Sequence, residues 1–128
     1  MKHISNENHF FHSEFWRKHP EFRRERDTPV INDSFLNKAL DFSHPEVVEH
    51  TFRMVCAILE RYDMDGLELD WMRFCAMFKA GCEDNGREIL TEFQRRVYLE
   101  IKKAEAKYGH SITLSARVPA TPEEAFDW

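Results

Sequence analysis

Two short stretches of alternating polarity, one on each side of a long amphipathic segment, restrict the folds open to this chain more than any other feature. Asp65-Gly66-Leu67-Glu68-Leu69-Asp70-Trp71 puts Leu67, Leu69 and Trp71 on one side of an extended backbone and Glu68 and Asp70 on the other. Ser111-Ile112-Thr113-Leu114-Ser115-Ala116-Arg117 repeats the pattern, with Ile112, Leu114 and Ala116 opposite Ser111, Thr113, Ser115 and Arg117. Between them Leu90, Phe93, Val97, Ile101, Ala104 and Tyr108 recur at helical intervals. Asn85-Gly86-Arg87-Glu88 offers an N-cap with a carboxylate three residues on, and Gly109 stands where a left-handed residue ends a helix. Strand, helix, strand at this spacing is the βαβ unit, whose crossover is right-handed and whose strands run parallel.

Upstream, Ser43-His44-Pro45-Glu46 has the form of a capping box and predicts a helix to about Tyr62, with Val48, Phe52, Val55, Leu59 and Tyr62 as its apolar stripe. Lys38-Ala39-Leu40-Asp41-Phe42 is a short candidate strand leading into it. Residues 1–36 are rich in aromatics, His and Arg, and read as a long loop with one short helix around Ser13 to Lys18. A loop of some fifteen residues, from Met72 to Gly86, follows the first alternating stretch. Thr121-Pro122-Glu123-Glu124 is a third capping box with Pro at the first helical position.

The fold class is therefore α/β, and the strand faces choose between its two common architectures. An open doubly wound sheet covers both faces with helices and needs strands that are apolar on both sides. A (β/α)8 barrel buries one strand face under helices and points the other inward, where polar groups gather at the C-terminal rim. The polar faces here favour the TIM barrel. The absence of a Gly-x-Gly-x-x-Gly or P-loop sequence removes the usual dinucleotide and nucleotide signatures. A whole barrel takes about 250 residues, so 128 residues are expected to be a fragment of one, residues 37–128 carrying about three β/α units and the rest of the barrel missing.

Composition narrows the function. The 18 Lys and Arg against 23 Asp and Glu leave a net charge of −5, which disfavours a nucleic-acid partner. No apolar run approaches the roughly 18 residues of a membrane span and the first residues lack a signal peptide's apolar stretch, so no membrane partner is expected. The compartment stays open between cytoplasm and secretion. Cys56, Cys75 and Cys82 are odd in number and form no Cys-x-x-Cys pair. His9-x-x-His12, with His3 nearby, matches no zinc spacing, so neither a metal nor another cofactor is expected.

The candidate chemistry lies on the first polar strand face. Asp70 falls at the C-terminal end, where barrel enzymes place catalytic side chains. Glu68 lies one layer deeper on the same face, and two carboxylates at this spacing can divide the roles of proton donor and nucleophile or stabiliser. Glu68 also reads, more simply, as a buried charge satisfied by a neighbouring Arg or Ser and supporting Asp70. Arg73 and Arg117 follow the two strands and reach the same rim, to orient Asp70 or to hold an anionic or hydroxyl-rich ligand. The phase of Arg117 points it inward, whereas Arg73 reads equally as a salt bridge within its loop. Trp71 faces the helices as core, and Thr113 and Ser115 read as interior filler. Cys75 and Cys82 have no obvious partner base.

The run Arg61-Tyr62-Asp63-Met64-Asp65-Gly66-Leu67-Glu68-Leu69-Asp70-Trp71-Met72-Arg73-Phe74 resembles the fourth-strand segment of bacterial glycoside-hydrolase barrels, especially the family 10-like glycosyl hydrolases of polysaccharide degraders. Phe15-Trp16-Arg17-Lys18-His19-Pro20-Glu21, Ala39-Leu40-Asp41-Phe42 and Ser115-Ala116-Arg117-Val118-Pro119-Ala120-Thr121 resemble further segments of that group. The resemblance implies strands three to five of the barrel, a carbohydrate substrate and Asp70 as an active-site acid. The looser Asp-Gly-x-x-x-Asp core is shared with chitinase-like family 18 enzymes, whose catalytic Glu directly follows the aromatic residue. Met72 occupies that place here, which disfavours their substrate-assisted mechanism. The leading expectation is hydrolysis of O-glycosidic bonds by the complete protein, the fragment alone being inactive. The alternatives are a barrel that binds carbohydrate without cleaving it, and a non-glycosidase barrel enzyme acting on an anionic substrate.

Overall fold

A computed structural model describes residues 13–24, 39–72, 77–79, 81 and 85–120. Its elements, in order, are α1 (Glu14–Lys18), a 3-10 turn (Pro20–Phe22), α2 (Pro45–Arg61), β1 (Gly66–Asp70), α3 (Gly86–Tyr108) and β2 (Thr113–Arg117). β1 and β2 form a two-stranded parallel sheet joined through α3, so the expected βαβ unit is present.

α3 forms where its stripe places it, burying Phe93, Val97, Ile101 and Ala104. Its C-terminal stop is Gly109, at φ 81, whose N–H donates to Glu105 O at 2.8 Å; a side chain there would meet the left-handed penalty. At the other end Gly86 is buried, and a Cβ in its place would come within 2.7 Å of the Phe78 ring. Here the helix start needs glycine for close approach rather than for its dihedral freedom.

α2 also forms, but with its apolar face turned by one residue. Val47, Thr51, Val55 and Leu59 are buried, Val48 and Phe52 half-buried, and Tyr62 is exposed just beyond the helix. The capping box at Ser43 is corrected: the N-cap is His44, without a side-chain cap bond. The buried Asp41 carboxylate instead accepts the Ser43 N–H at 2.9 Å, and the His44 N–H donates to Asp41 O at 3.2 Å. A carboxylate two residues upstream makes an Asx turn, which takes the place of the Ser43 cap.

The expected strand over 38–42 is corrected for its described part, 39–42, which forms no strand. Arg23 and Leu40 make an isolated antiparallel bridge; Arg24 N–H donates to Ala39 O at 2.8 Å and Asp41 N–H to Phe22 O at 2.9 Å. Phe42 N–H donates to Met77 O at 2.8 Å. These bonds engage the segment's backbone with residues 22–24 and 77 rather than with β1. α1 agrees with expectation, capped by the Ser13 hydroxyl, which accepts the Trp16 N–H at 3.0 Å.

Two apolar clusters carry the packing. Leu69 of β1 and Ile112 are buried with Val55, Leu59, Phe93, Val97, Ile101 and Ala104, while Leu67 and Leu114 pack against them. Leu40, Phe42, Val47, Met77 and Phe78 form the second, with Phe15, Trp16 and Phe22 against it. Trp71 touches both, its ring edge-on to Phe93 at 5.8 Å. The third capping box, at Thr121, lies outside the described residues.

Candidate functional site

Parallel register decides which side chains meet. Leu67 pairs with Leu114, Glu68 with Ser115, Leu69 with Ala116 and Asp70 with Arg117. The ladder is held at one end by Thr113 N–H to Asp65 O, 2.9 Å, and at the other by Trp71 N–H to Arg117 O, 3.1 Å. Because side chains alternate, Leu67 and Leu69 turn to the helices and Glu68 and Asp70 turn away from them, alongside Ser115 and Arg117.

At the C-terminal ends of both strands Arg117 Nη1 donates to Asp70 Oδ2 at 3.1 Å, and the Met72 N–H donates to Asp70 Oδ1 at 3.2 Å. The Asp70 side chain is only 6% exposed and that of Arg117 37% exposed, so the carboxylate is enclosed and the guanidinium partly open. A charge-assisted bond between adjacent strands fixes both groups more firmly than a loop contact does.

Glu68 stands on the same face but is exposed, which corrects its reading as a buried charge. Thr113 and Ser115, read as interior filler, are exposed as well. The described face is thus a shallow polar surface with one enclosed ion pair at its rim. Trp71 lies on the helix side as expected, half-buried, its Nε1 donating to Gln94 Oε1 at 3.4 Å. Arg73, Cys75, Cys82, His3, His9 and His12 lie outside the described residues. Among the described residues no three His, Cys, Asp or Glu side chains converge as a metal site requires, and no helix is long and apolar enough to cross a membrane.

The sequence reading missed the Met72 amide as a partner of Asp70. An Asp followed two residues later by a free backbone N–H is the recognisable Asx signal. It also missed Asp41 as a buried carboxylate, whose Oδ2 lies 3.9 Å from His44 Nε2. Cys56 is half-buried and burial pushes its thiol up, away from nucleophile chemistry. An apolar groove between the N-terminal halves of α2 and α3 is lined by Phe42, Pro45, Val48, Ile89 and Phe93. At its edge Glu49 bonds Arg96 and Glu92 bonds Arg95, which holds both carboxylates below the ordinary range.

These elements make the chain a mixed helix-and-strand protein, compatible with the α/β class, with a parallel two-stranded sheet and a carboxylate–guanidinium pair at its C-terminal edge. A comparison with known protein families finds no match, and neither does a comparison with curated proteins.

Proposed function

We propose that β1 and β2 are adjacent strands of a (β/α)8 barrel of the glycoside-hydrolase type, and that the protein hydrolyses O-glycosidic bonds at their C-terminal rim. A barrel needs about 250 residues, so on this reading further strands complete the ring beyond these 128. The observation that carries the reading is the placement of Glu68, Asp70, Ser115 and Arg117 on the sheet face opposite the helices, with Asp70 and Arg117 paired at the C-terminal end. That is the face and the end at which barrel enzymes assemble their sites.

Glu68 is the exposed carboxylate available for the acid, base or nucleophile work of glycosidic cleavage, Asp70 is the enclosed one at the rim, and Arg117, with Arg73, positions the substrate. The likeness of the 61–74 run to family 10-like glycosyl hydrolases supports a carbohydrate as the substrate class. No cofactor is required by this chemistry.

The test is reducing-sugar release from a panel of plant, microbial and algal polysaccharides by the full-length protein and its Glu68→Gln and Asp70→Asn variants. The reading expects cleavage of at least one glycan and a loss of turnover in both variants, by roughly a hundredfold or more where a proton-transfer group is removed. Cleavage at the parental rate by both variants would remove this face from the mechanism.

A further inference from the structure

We propose that Asp70 acts through Arg117 rather than on a ligand: Asp70 is a positioning residue that fixes the guanidinium, and Arg117 is the side chain of this pair that meets the ligand. The nature of that ligand, hydroxyl-rich, rests on the hydrolase reading above; the positioning role rests on geometry alone.

The two side chains differ in what they can still reach. Asp70 is 6% exposed and uses Oδ2 for Arg117 and Oδ1 for the Met72 N–H. Its oxygens keep lone pairs to spare, but the carboxylate is enclosed, so a ligand arriving at the rim meets the partly open guanidinium first. Arg117 is 37% exposed, and a guanidinium carries five N–H donors in a rigid fork. One donor, on Nη1, is committed to Asp70. A fork anchored at one donor has already lost part of its rotamer freedom, so its other donors bind a ligand at a lower entropic cost.

The pairing is also built into the fold. Asp70 and Arg117 are register partners, and Trp71 N–H donates to Arg117 O just beyond them. Glu68, exposed on the same face, is then the carboxylate left accessible to a ligand.

The test has two arms. The first is the side-chain NMR of Arg117 in the full-length protein, which needs no glycan. Hindered rotation, with resolved Nη protons, is expected in the parent and fast averaging in Asp70→Asn; an unchanged Arg117 signal in the variant would overturn the positioning role. Should that variant fail to fold, the parent alone decides: fast averaging of its Arg117 Nη protons would overturn the proposal.

The second arm is kinetic, on any glycan the full-length protein cleaves. Asp70→Asn and Arg117→Met are each expected to lower kcat/KM by roughly ten- to a hundredfold, the loss of a hydrogen bond to a charged group. The double variant is expected to be no worse than Arg117→Met alone. Multiplying losses would show that Asp70 works on the reaction itself and overturn the proposal. Absence of turnover on every glycan would instead remove the hydrolase reading, and the guanidinium signal would still decide the role of Asp70.

Discussion

On the side of the sheet that faces α2 and α3, Leu69 and Ile112 are buried among Val55, Leu59, Phe93, Val97 and Ile101. On the other side Glu68, Thr113 and Ser115 are exposed, and the one enclosed group, Asp70, is held by Arg117 and a backbone N–H. Residues neighbouring in sequence therefore do opposite work. The apolar set removes surface from water, which stabilises by about 25 cal/mol per Å² buried; the polar set adds little to folding and keeps donors and acceptors available. Alternation lets a five-residue strand serve both ends, since a side chain added to one face is not subtracted from the other.

The comparison can be broken most sharply from the apolar side. Phe93 is 2% exposed and meets Phe42, Phe52 and Trp71 edge-on at ring-centroid distances of 6.2, 6.3 and 5.8 Å. Phe93→Ala is expected to cost about 3–5 kcal/mol in chemical denaturation. A cost below 1 kcal/mol would mean that the helix side is not the stabilising one.

A smaller effect comes from the opposite, N-terminal end of the strands. There His110 Nε2 meets Asp63 Oδ1 at 2.5 Å, and Lys107 and Tyr108 donate to Glu60 O at 2.6 and 2.8 Å. The Asp63 carboxylate raises the pKa of His110 above the ordinary histidine value. A folded-state value above the unfolded one gives stability that is fully present below the ordinary histidine pKa and is lost as pH rises through the raised value. The Tm difference between the parent and His110→Gln is thus expected to be largest in weak acid and to shrink across neutral to mildly alkaline pH. A difference that grows with pH would contradict the pair.

The smallest effect is expected on the polar face itself. Glu68→Gln and Ser115→Ala are expected to leave stability within about 0.5 kcal/mol in urea titration. A loss above 1 kcal/mol in either would mean that this face carries packing.

Much of this was legible from pattern. α3, β1, β2 and Gly109 follow from a helical stripe, two alternating stretches and a stop signal, each a local feature. What escaped depends on contacts between distant segments. Residues 39–42 have the composition of a strand, but their backbone bonds go to Phe22, Arg24 and Met77, partners that no window of sequence reveals. The Ser43 cap lost to Asp41, whose turn uses the same few residues. In α2 the stripe 48–52–55–59 and the observed 47–51–55–59 share only their later half, because two neighbouring apolar residues at 47 and 48 leave the phase undecided. At the candidate site alternation placed Glu68 and Asp70 on one face, yet it says nothing of whether a polar face is covered, so the exposure of Glu68 was not legible. The Asp70–Arg117 contact depends on register, which the length and docking of α3 set rather than either strand alone.

Everything at the rim follows from that register, and interstrand proton contacts in the NMR spectrum of the 128-residue chain test it directly. The parallel pairing predicts contacts from the Glu68 and Asp70 Hα to the amides of Ser115 and Arg117, and amide-to-amide contacts of Leu69 with Ser115 and Trp71 with Arg117. Close Hα–Hα pairs, the mark of antiparallel strands, or a ladder shifted by one residue would contradict it, since a single-residue slip turns every side chain to the other face.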